Sequence, residues 1–273
     1  MLLKEYIGAF LSEAFSYKKL KDIVGELNSV VDDYYKQGDR SYDVYYDLLK
    51  VIDNFGLKKL GAGAYRRAYT LDGEDWVLKL AYGYSKEAFK SAVMDNAGEV
   101  NISQGGHGIG ARDLFVQVYD WDKISDNPAW LLTQKVISLE KAHKHFTISD
   151  IERIFPTLWS ALKSSAMQKK SVSSFCDFVS DTYVEMSIDS VTKEKNSAGL
   201  SRLGFYRAMK EGVLRDEDLV PFEEVYFGED FFRIARACAY SRPDDMHQGN
   251  IGLIPSDNPL PRDIVVLDYM LDI

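Results

Sequence analysis

Two aspartates and an asparagine near the C-terminal end of the sequence could together handle a phosphate group and its metal ion. Asp245 stands five residues before Asn250 in the run Asp-Met-His-Gln-Gly-Asn, and Asp268 follows the apolar run 264–267. One carboxylate can take a proton from an attacking hydroxyl, while the amide oxygen and the other carboxylate can hold Mg²⁺. Asp244 could also be the base, but it lacks this spacing to Asn250. The pattern predicts Mg²⁺-dependent phosphate chemistry.

A glycine turn and a lysine within a strand form a second group of candidate residues. Gly61 and Gly63 lie between two predicted strands. The missing Cβ permits positive φ there and lets backbone N–H groups approach a phosphate, although a plain structural turn explains the same spacing. Lys79 follows in the apolar run 77–81, on the strand face opposite its apolar neighbours. Its side chain can extend to solvent or reach the phosphates of a nucleotide.

An acidic partner for Lys79 is expected on the helix that follows. Residues 85–103 have a helical pattern, and Glu99, twenty positions after Lys79, is the first candidate within it. Asp95 and Glu87 are alternatives on the same helix. Each of the three acids could equally be a solvated surface group, as most helix acids are.

The hydropathy pattern predicts an α+β fold in which a strand-rich part precedes a mainly helical part. Apolar alternation and turn residues indicate short strands, with a strong hairpin signal at Asp72 and Gly73. Most of 148–240 has apolar residues at helical spacing instead. The predicted strands are 57–60, 68–71, 76–80, 114–119, 130–133, 252–254 and 264–267.

Residues 1 to about 55 are predicted to form three helices. Apolar residues recur at helical spacing over 3–15 and again over 20–31. Gly38 and Asp39 interrupt the pattern, and Ser41 could cap a third helix. The polar faces are not distinctly basic, so we expect these apolar stripes to pack in a core rather than lie on a membrane surface.

The composition is that of a globular chain with an acidic balance. The 273 residues carry 33 Lys and Arg against 42 Asp and Glu, a formal net charge of −9, which argues against a general nucleic-acid binder. Two cysteines, Cys176 and Cys238, form neither a disulfide framework nor a zinc motif, so a reducing, cytoplasmic setting is favoured. No segment reaches the roughly 18 to 20 apolar residues that cross a bilayer, and no membrane partner is expected.

The order of these residues resembles that of the protein-kinase-like superfamily. The resemblance implies that Gly61 and Gly63 belong to a loop that covers the phosphates of ATP. It also implies that Lys79 positions those phosphates and that Glu99 supports Lys79. ATP and Mg²⁺ are the cofactors that follow from the resemblance.

The same resemblance assigns the adenine and metal sites. Backbone groups of Gln134 and Val136 would hold the adenine of ATP. Asp245 would act as the catalytic base, and Asn250 and Asp268 would be the Mg²⁺ ligands. The run Asp-Met-His-x-Gly-Asn is similar to that of aminoglycoside and choline phosphotransferases. The whole set is nearest to compact serine/threonine kinases encoded by bacteriophages, which would place the chain in the host cytoplasm.

The sequence departs from the superfamily pattern at several positions. Arg66 stands where the third glycine of the loop is usual, and Tyr269 and Met270 replace the Phe-Gly that usually follows the metal-binding aspartate. The resemblance implies a bilobal fold with a strand-rich N-lobe, a helical C-lobe truncated after Asp268, and extra N-terminal helices. No activation segment or peptide-docking platform is expected. The expected domains are a helical extension over 1–55, the N-lobe and hinge over 56–140, and the C-lobe with the catalytic loop over 141–273.

Three functions are compatible with the sequence. The first is transfer of phosphate from ATP to serine or threonine of a protein substrate. The second keeps the chemistry but uses a small-molecule acceptor, as the Asp-Met-His-x-Gly-Asn run and the missing platform favour. The third is a non-catalytic, kinase-like regulatory module, which Arg66 motivates.

Overall fold

The computed structural model describes two compact units of the chain. The first unit contains Met1–Val100 and Val118–Gln134, and the second contains Asn101–Gln117 and Lys135–Ile273. The predicted domain boundaries at residues 55 and 140 stay a prediction. The residues that the structure describes are 2–36, 43–63, 65–104, 114–156, 159, 171–176, 229–230, 233 and 249–267.

The first unit is built on a five-stranded antiparallel sheet, and this confirms the α+β class. The strand order is β1-β2-β3-β5-β4. A long helix, α3, connects β3 to the β4–β5 pair. The bounds are β1 Lys58–Ala62, β2 Arg66–Thr70, β3 Trp76–Ala81, α3 Lys86–Ser103, β4 Val118–Trp121 and β5 Trp130–Gln134.

Tight turns at two glycines set the start of the sheet and its second hairpin. Gly56 ends the second helix of the chain in the left-handed conformation, with φ of 68°, and its N–H donates to Asp53 O and Ile52 O. Gly73 has φ of 81° in the turn between β2 and β3. Both positions favour glycine because a Cβ disfavours positive φ. The hairpin predicted at Asp72 and Gly73 is therefore confirmed.

The N-terminal segment forms two described helices rather than the three predicted. Helix α1 runs without interruption through Leu2–Lys36, because the polar residues between its two apolar stripes include neither proline nor glycine. Helix α2, Val44–Phe55, begins after Asp43, whose side chain makes no capping hydrogen bond. Ser41, the predicted cap, lies outside the described residues. In the described part of the chain no helix has both the length and the apolarity needed to cross a membrane.

Helices α1 and α2 share one hydrophobic core with the sheet and α3. Leu27 of α1, Leu48 of α2, and Leu78 and Trp130 of the sheet are all fully buried in the same cluster. Ala92 of α3 belongs to that cluster as well. Burying a leucine side chain stabilises a fold by roughly 1.5–3 kcal/mol. The C-terminal half of α1 and helix α2 are therefore an integral part of the first unit.

The second unit contains a small antiparallel sheet with the order β6-β7-β8. Its hairpin of β7 with β8 confirms the strands predicted at 252–254 and 264–267. The strand predicted over 114–119 is only partly correct, because strand β4 of the first sheet begins at Val118. Val116 N–H donates to Val266 O instead, so the preceding apolar residues are buried in the second unit. The bounds are β6 Ile137–Ser138, a 3-10 helix Leu139–Lys144, α4 Ile148–Ile154, β7 Ile251–Leu253, a 3-10 helix Pro261–Asp263 and β8 Ile264–Val266.

Truncation of a core leucine in α2 tests whether the N-terminal helices support the sheet. Leu48→Ala should lower the free energy of unfolding by about 2–5 kcal/mol, because the side chain is fully buried among residues of the sheet. Asn54→Ala, at an exposed position of the same helix, should change it by less than about 0.5 kcal/mol. Urea denaturation followed by tryptophan fluorescence measures both variants. Equal stability of Leu48→Ala and Asn54→Ala would contradict a shared core.

Candidate active site

A buried ion pair joins the middle of the sheet to helix α3. Lys79 Nζ lies 2.9 Å from both Oε1 and Oε2 of Glu99. The side chains are only 12% and 2% exposed, so Lys79 does not extend into solvent. Among the three acids considered on α3, Glu99 is the one paired with this lysine, whereas Glu87 is exposed and Asp95 is half-buried. The structure thus brings together the two residues that the sequence analysis selected.

Arg66 is a second cation on the same carboxylate, and the sequence analysis did not foresee this contact. Its Nη1 donates to Glu99 Oε1, and its side chain is 10% exposed. Arg66 opposes Ala81 in the β2–β3 register, and Ala68 opposes Lys79. Side chains two residues apart on a strand share a face, so this register places Arg66 diagonally next to Lys79 on one face of the sheet. Counting register from the Asp-Gly turn is the one sequence signal that could have suggested the pair.

The three charges determine which protonation state each group favours. Burial would raise the pKa of Glu99, but the charges of Arg66 and Lys79, with their hydrogen bonds, outweigh it and lower the pKa below the ordinary value of 4.5. Burial also lowers the pKa of Lys79, and the charge of Arg66 adds to that shift while Glu99 opposes it. Glu99 is therefore an ionised, buried carboxylate that bonds two donors.

Helix α3 is held in place at a second point on the same face. Asn96 is fully buried, and its Nδ2 donates to the carbonyl oxygen of Pro128 at 2.8 Å. Residues three apart on a helix are neighbours, so Asn96 and Glu99 lie on one side of α3. The loop that carries Pro128 is itself fixed by Asp122, which accepts the N–H groups of Ile124 and Ala129. Burial raises the pKa of Asp122, and its backbone hydrogen bonds partly offset that shift.

The glycine turn contains open space rather than strained backbone. Gly61 is the fourth residue of β1, and neither Gly61 nor Gly63 has positive φ. The positive φ that glycine permits is therefore not used at either position. Among the described residues, a Cβ added at Gly61 would meet no atom within 4 Å, and one at Gly63 would meet only Arg66 O at 4.0 Å. The Gly63 N–H donates to Arg66 O at 2.9 Å, so this N–H is used within the turn.

The predicted adenine-binding segment follows β5. Gln134 ends that strand opposite Trp76. Val136 belongs to the second unit, where its Cγ2 would lie only 2.9 Å from a Cβ added at Gly252. This close approach explains the glycine in β7, which the sequence analysis took only as part of a hairpin. The binding of adenine by backbone groups of Gln134 and Val136 stays a prediction.

One of the three candidate residues for metal and proton chemistry lies in the described part of the chain. Asn250 is 8% exposed and immediately precedes β7. The backbone carbonyl oxygen of Asn250 accepts a hydrogen bond from the backbone N–H of Leu267 at 2.8 Å. The hairpin therefore places Asn250 beside the residue that precedes Asp268. Asp245 and Asp268 lie outside the described residues.

The donor chemistry near β7 suits magnesium. Within the described ranges no group of three or more His, Cys, Asp or Glu could hold a metal ion. Mg²⁺ usually takes one or two carboxylates together with substrate phosphates, so a closed cluster of protein ligands is not required. The carboxamide of Asn250 is a ligand of the oxygen type that Mg²⁺ prefers.

Comparison with known proteins gives similarity to solved structures alone. No family model matches the chain, and no curated protein matches it. The chain is similar to aminoglycoside phosphotransferase APH(4)-Ia, with 11% identity over 81% of this chain and 69% of that one and a TM-score of 0.30. A thermostable mutant of that enzyme, in ternary complex with AMP-PNP and hygromycin B, gives the same values.

Another mutant of that enzyme, in ternary complex with ADP and hygromycin B, has a TM-score of 0.27 and 11% identity over the same shares of both chains. Nearness to the bacteriophage kinases stays a prediction. At these TM-scores the similarity carries no argument about the activity or the acceptor of this chain.

Replacement of Glu99 tests how much its negative charge contributes to stability beside Arg66 and Lys79. Glu99→Gln should lower the free energy of unfolding by about 3–5 kcal/mol near neutral pH, because Arg66 and Lys79 then lack its negative charge. The folded-state pKa of Glu99 is lowered, so its contribution is full above the ordinary value of 4.5 and is lost as pH falls below it. The difference in the free energy of unfolding between the original chain and Glu99→Gln should therefore become smaller as the pH falls below 4.5.

Urea denaturation over a pH series measures this difference. The control is Asp72→Asn, which removes the acid of an exposed ion pair with Lys58 while keeping a good turn residue. It should change stability by less than about 1 kcal/mol. A Glu99→Gln penalty that is constant across the acid range would contradict the lowered pKa.

Proposed function

We propose that this chain is an ATP- and Mg²⁺-dependent phosphotransferase. The observation that carries the proposal is the buried Lys79–Glu99 pair, at 2.9 Å, on the face of the sheet that also carries Arg66. A lysine ammonium fixed by a helix carboxylate is the arrangement that places the α- and β-phosphates of ATP in kinase-like sites. The open space beside Gly61 fits the close approach of a phosphate to backbone.

The proposed reaction transfers the γ-phosphoryl group of ATP to a hydroxyl. The hydroxyl oxygen forms a bond to the γ-phosphorus, the bond to the β–γ bridging oxygen breaks, and ADP leaves. Asp245 would accept the hydroxyl proton. Asn250 and Asp268 would hold Mg²⁺, which neutralises charge on the phosphates when bound. Lys79 would orient the phosphates, with Gln134 and Val136 holding the adenine.

For the acceptor we propose serine or threonine of a protein, following the resemblance to the bacteriophage kinases. A small hydroxylated molecule is the second candidate, because the run from Asp245 to Asn250 has the form found in aminoglycoside and choline phosphotransferases. The two acceptors share the same chemistry at the phosphate. They differ in what must lie next to Asp245, so the experiment has to offer both.

Label transfer from ATP tests the reaction and the acceptor together. The full chain is incubated with γ-labelled ATP and Mg²⁺, once with a bacterial lysate and once with a panel of aminoglycosides and amino alcohols. We expect label on proteins, and Asp245→Asn should reduce the rate about 10²–10⁴-fold because the proton acceptor is lost. The Asp244→Asn variant is the matched control and should retain most of the rate.

Each outcome of this experiment separates one hypothesis. Label on the small molecules alone would replace the protein acceptor by the second candidate. A parallel incubation uses α-labelled ATP. Label transfer from α-labelled ATP, with none from γ-labelled ATP, would indicate nucleotidyl transfer and contradict phosphotransfer. No transfer above the Asp245→Asn background, together with no ATP–Mg²⁺ thermal shift, would support the non-catalytic alternative.

An alanine at Gly61 should separate nucleotide binding from folding. The added Cβ has open space in the protein, and alanine in a strand is favoured over glycine by roughly 0.5–1 kcal/mol, so stability should not fall. The KM for ATP should rise about tenfold, equivalent to ~1.4 kcal/mol, because the Cβ would occupy space that the phosphates need.

Gly25→Ala is the matched control for this substitution. Gly25 lies in α1, and its added Cβ likewise meets nothing within 4 Å. Both variants should be at least as stable as the original chain, but only Gly61→Ala should change KM. An unchanged KM in Gly61→Ala would show that the glycine turn does not approach the nucleotide.

A further inference from the structure

We propose that Arg66 is a positioning residue that acts on Lys79 through Glu99. Arg66 holds the Glu99 carboxylate, and Glu99 in turn fixes the ammonium group of Lys79 where it meets the nucleotide phosphates. The inference rests on the proposed function for its effect on nucleotide. The contacts themselves stand independently of that function.

Arg66 and Lys79 share the carboxylate of Glu99. Arg66 Nη1 donates to Oε1 of Glu99, while Lys79 Nζ is within 2.9 Å of both oxygens. A carboxylate has about four acceptor positions, so it can serve both cations at once. When Lys79 directs a donor to a phosphate, the bond from Arg66 remains on Glu99. Arg66 therefore keeps α3 attached to β2 whether or not nucleotide is bound.

The position of Arg66 in the chain links the glycine turn to helix α3. Arg66 is the first residue of β2 and directly follows the turn that contains Gly63, whose N–H donates to Arg66 O. If residue 66 were glycine, Lys79 would be the remaining cation from β2 and β3 that bonds Glu99. The guanidinium is always charged and has five donors, so it holds a carboxylate in a defined orientation. Arg66, in place of the usual third glycine, thus adds a bond from β2 to Glu99 of α3.

A double-mutant cycle tests the route through Lys79. The dissociation constant of Mg²⁺–ADP is measured by calorimetry for the original chain, Arg66→Met, Lys79→Met and the double variant. Arg66→Met should weaken binding about tenfold in the original chain and less than about twofold when Lys79 is already methionine, because coupled residues are not additive. Equal weakening in both backgrounds would overturn the proposal, since Arg66 would then act independently of Lys79.

Two further variants separate positioning from simple stabilisation. Arg66→Lys keeps a cation at the carboxylate but lacks the rigid guanidinium, so its dissociation constant for Mg²⁺–ADP should lie between those of the original chain and Arg66→Met. Binding as weak as that of Arg66→Met would overturn the proposal. Lys58→Met removes the cation of an exposed ion pair in the same sheet, and its dissociation constant should change less than about twofold.

Hydrogen exchange gives a readout that needs no nucleotide. Amides of α3 should exchange about tenfold faster in Arg66→Met than in Lys58→Met, because one of the two cations that bond Glu99 from the sheet is lost. Unchanged exchange in α3 would overturn the proposed anchor. If the original chain binds no Mg²⁺–ADP, the proposed function fails and hydrogen exchange still decides the contact. If it binds and the cycle is additive, only the role of Arg66 fails.

Discussion

The burial of one carboxylate constrains the whole first unit. Glu99 is 2% exposed, and a buried charge is tolerated only when it is paired and hydrogen-bonded. Its two partners come from β2 and β3, and it lies on α3, so the carboxylate is stable only when the hairpin and the helix are both in place. Asn96, on the same side of α3, adds the bond to Pro128. The contacts that position Lys79 are therefore the contacts that dock α3 on the sheet.

The N-terminal helices support this arrangement from the apolar side. Phe89 and Val93 of α3 belong to the same core as Leu27 of α1 and Leu48 of α2. Helix α3 thus has polar bonds to the sheet and apolar packing with the extra helices. Polar bonds fix direction but contribute little net free energy, whereas burial of apolar area contributes most of the stability. The two kinds of contact together explain how α3 can hold a charged residue in a buried position.

Local patterns in the sequence were sufficient for most of the first sheet, but not for features that depend on register. The turn at Gly73 and the alternation around Lys79 predicted the hairpin of β2 with β3. The order of residues indicated Glu99 as the partner of Lys79. Arg66 was misjudged because its contact with Glu99 spans 33 positions and follows from pairing opposite Ala81. The extent of α1 was missed because a polar stretch ends an apolar stripe without ending a helix. Val116 was assigned to the first sheet because the division of the chain into units has no local signal.

Folding alone does not favour the burial of three charges. Replacing a buried ion cluster by well-packed apolar residues is often neutral or stabilising, so Arg66, Lys79 and Glu99 are not the most stable choice for this site. A protein that needed only to dock α3 could do so with apolar side chains, as Phe89 and Val93 already do. Three charges that are costly to bury would be retained if they served an anionic ligand, and the phosphates of the proposed reaction are such a ligand.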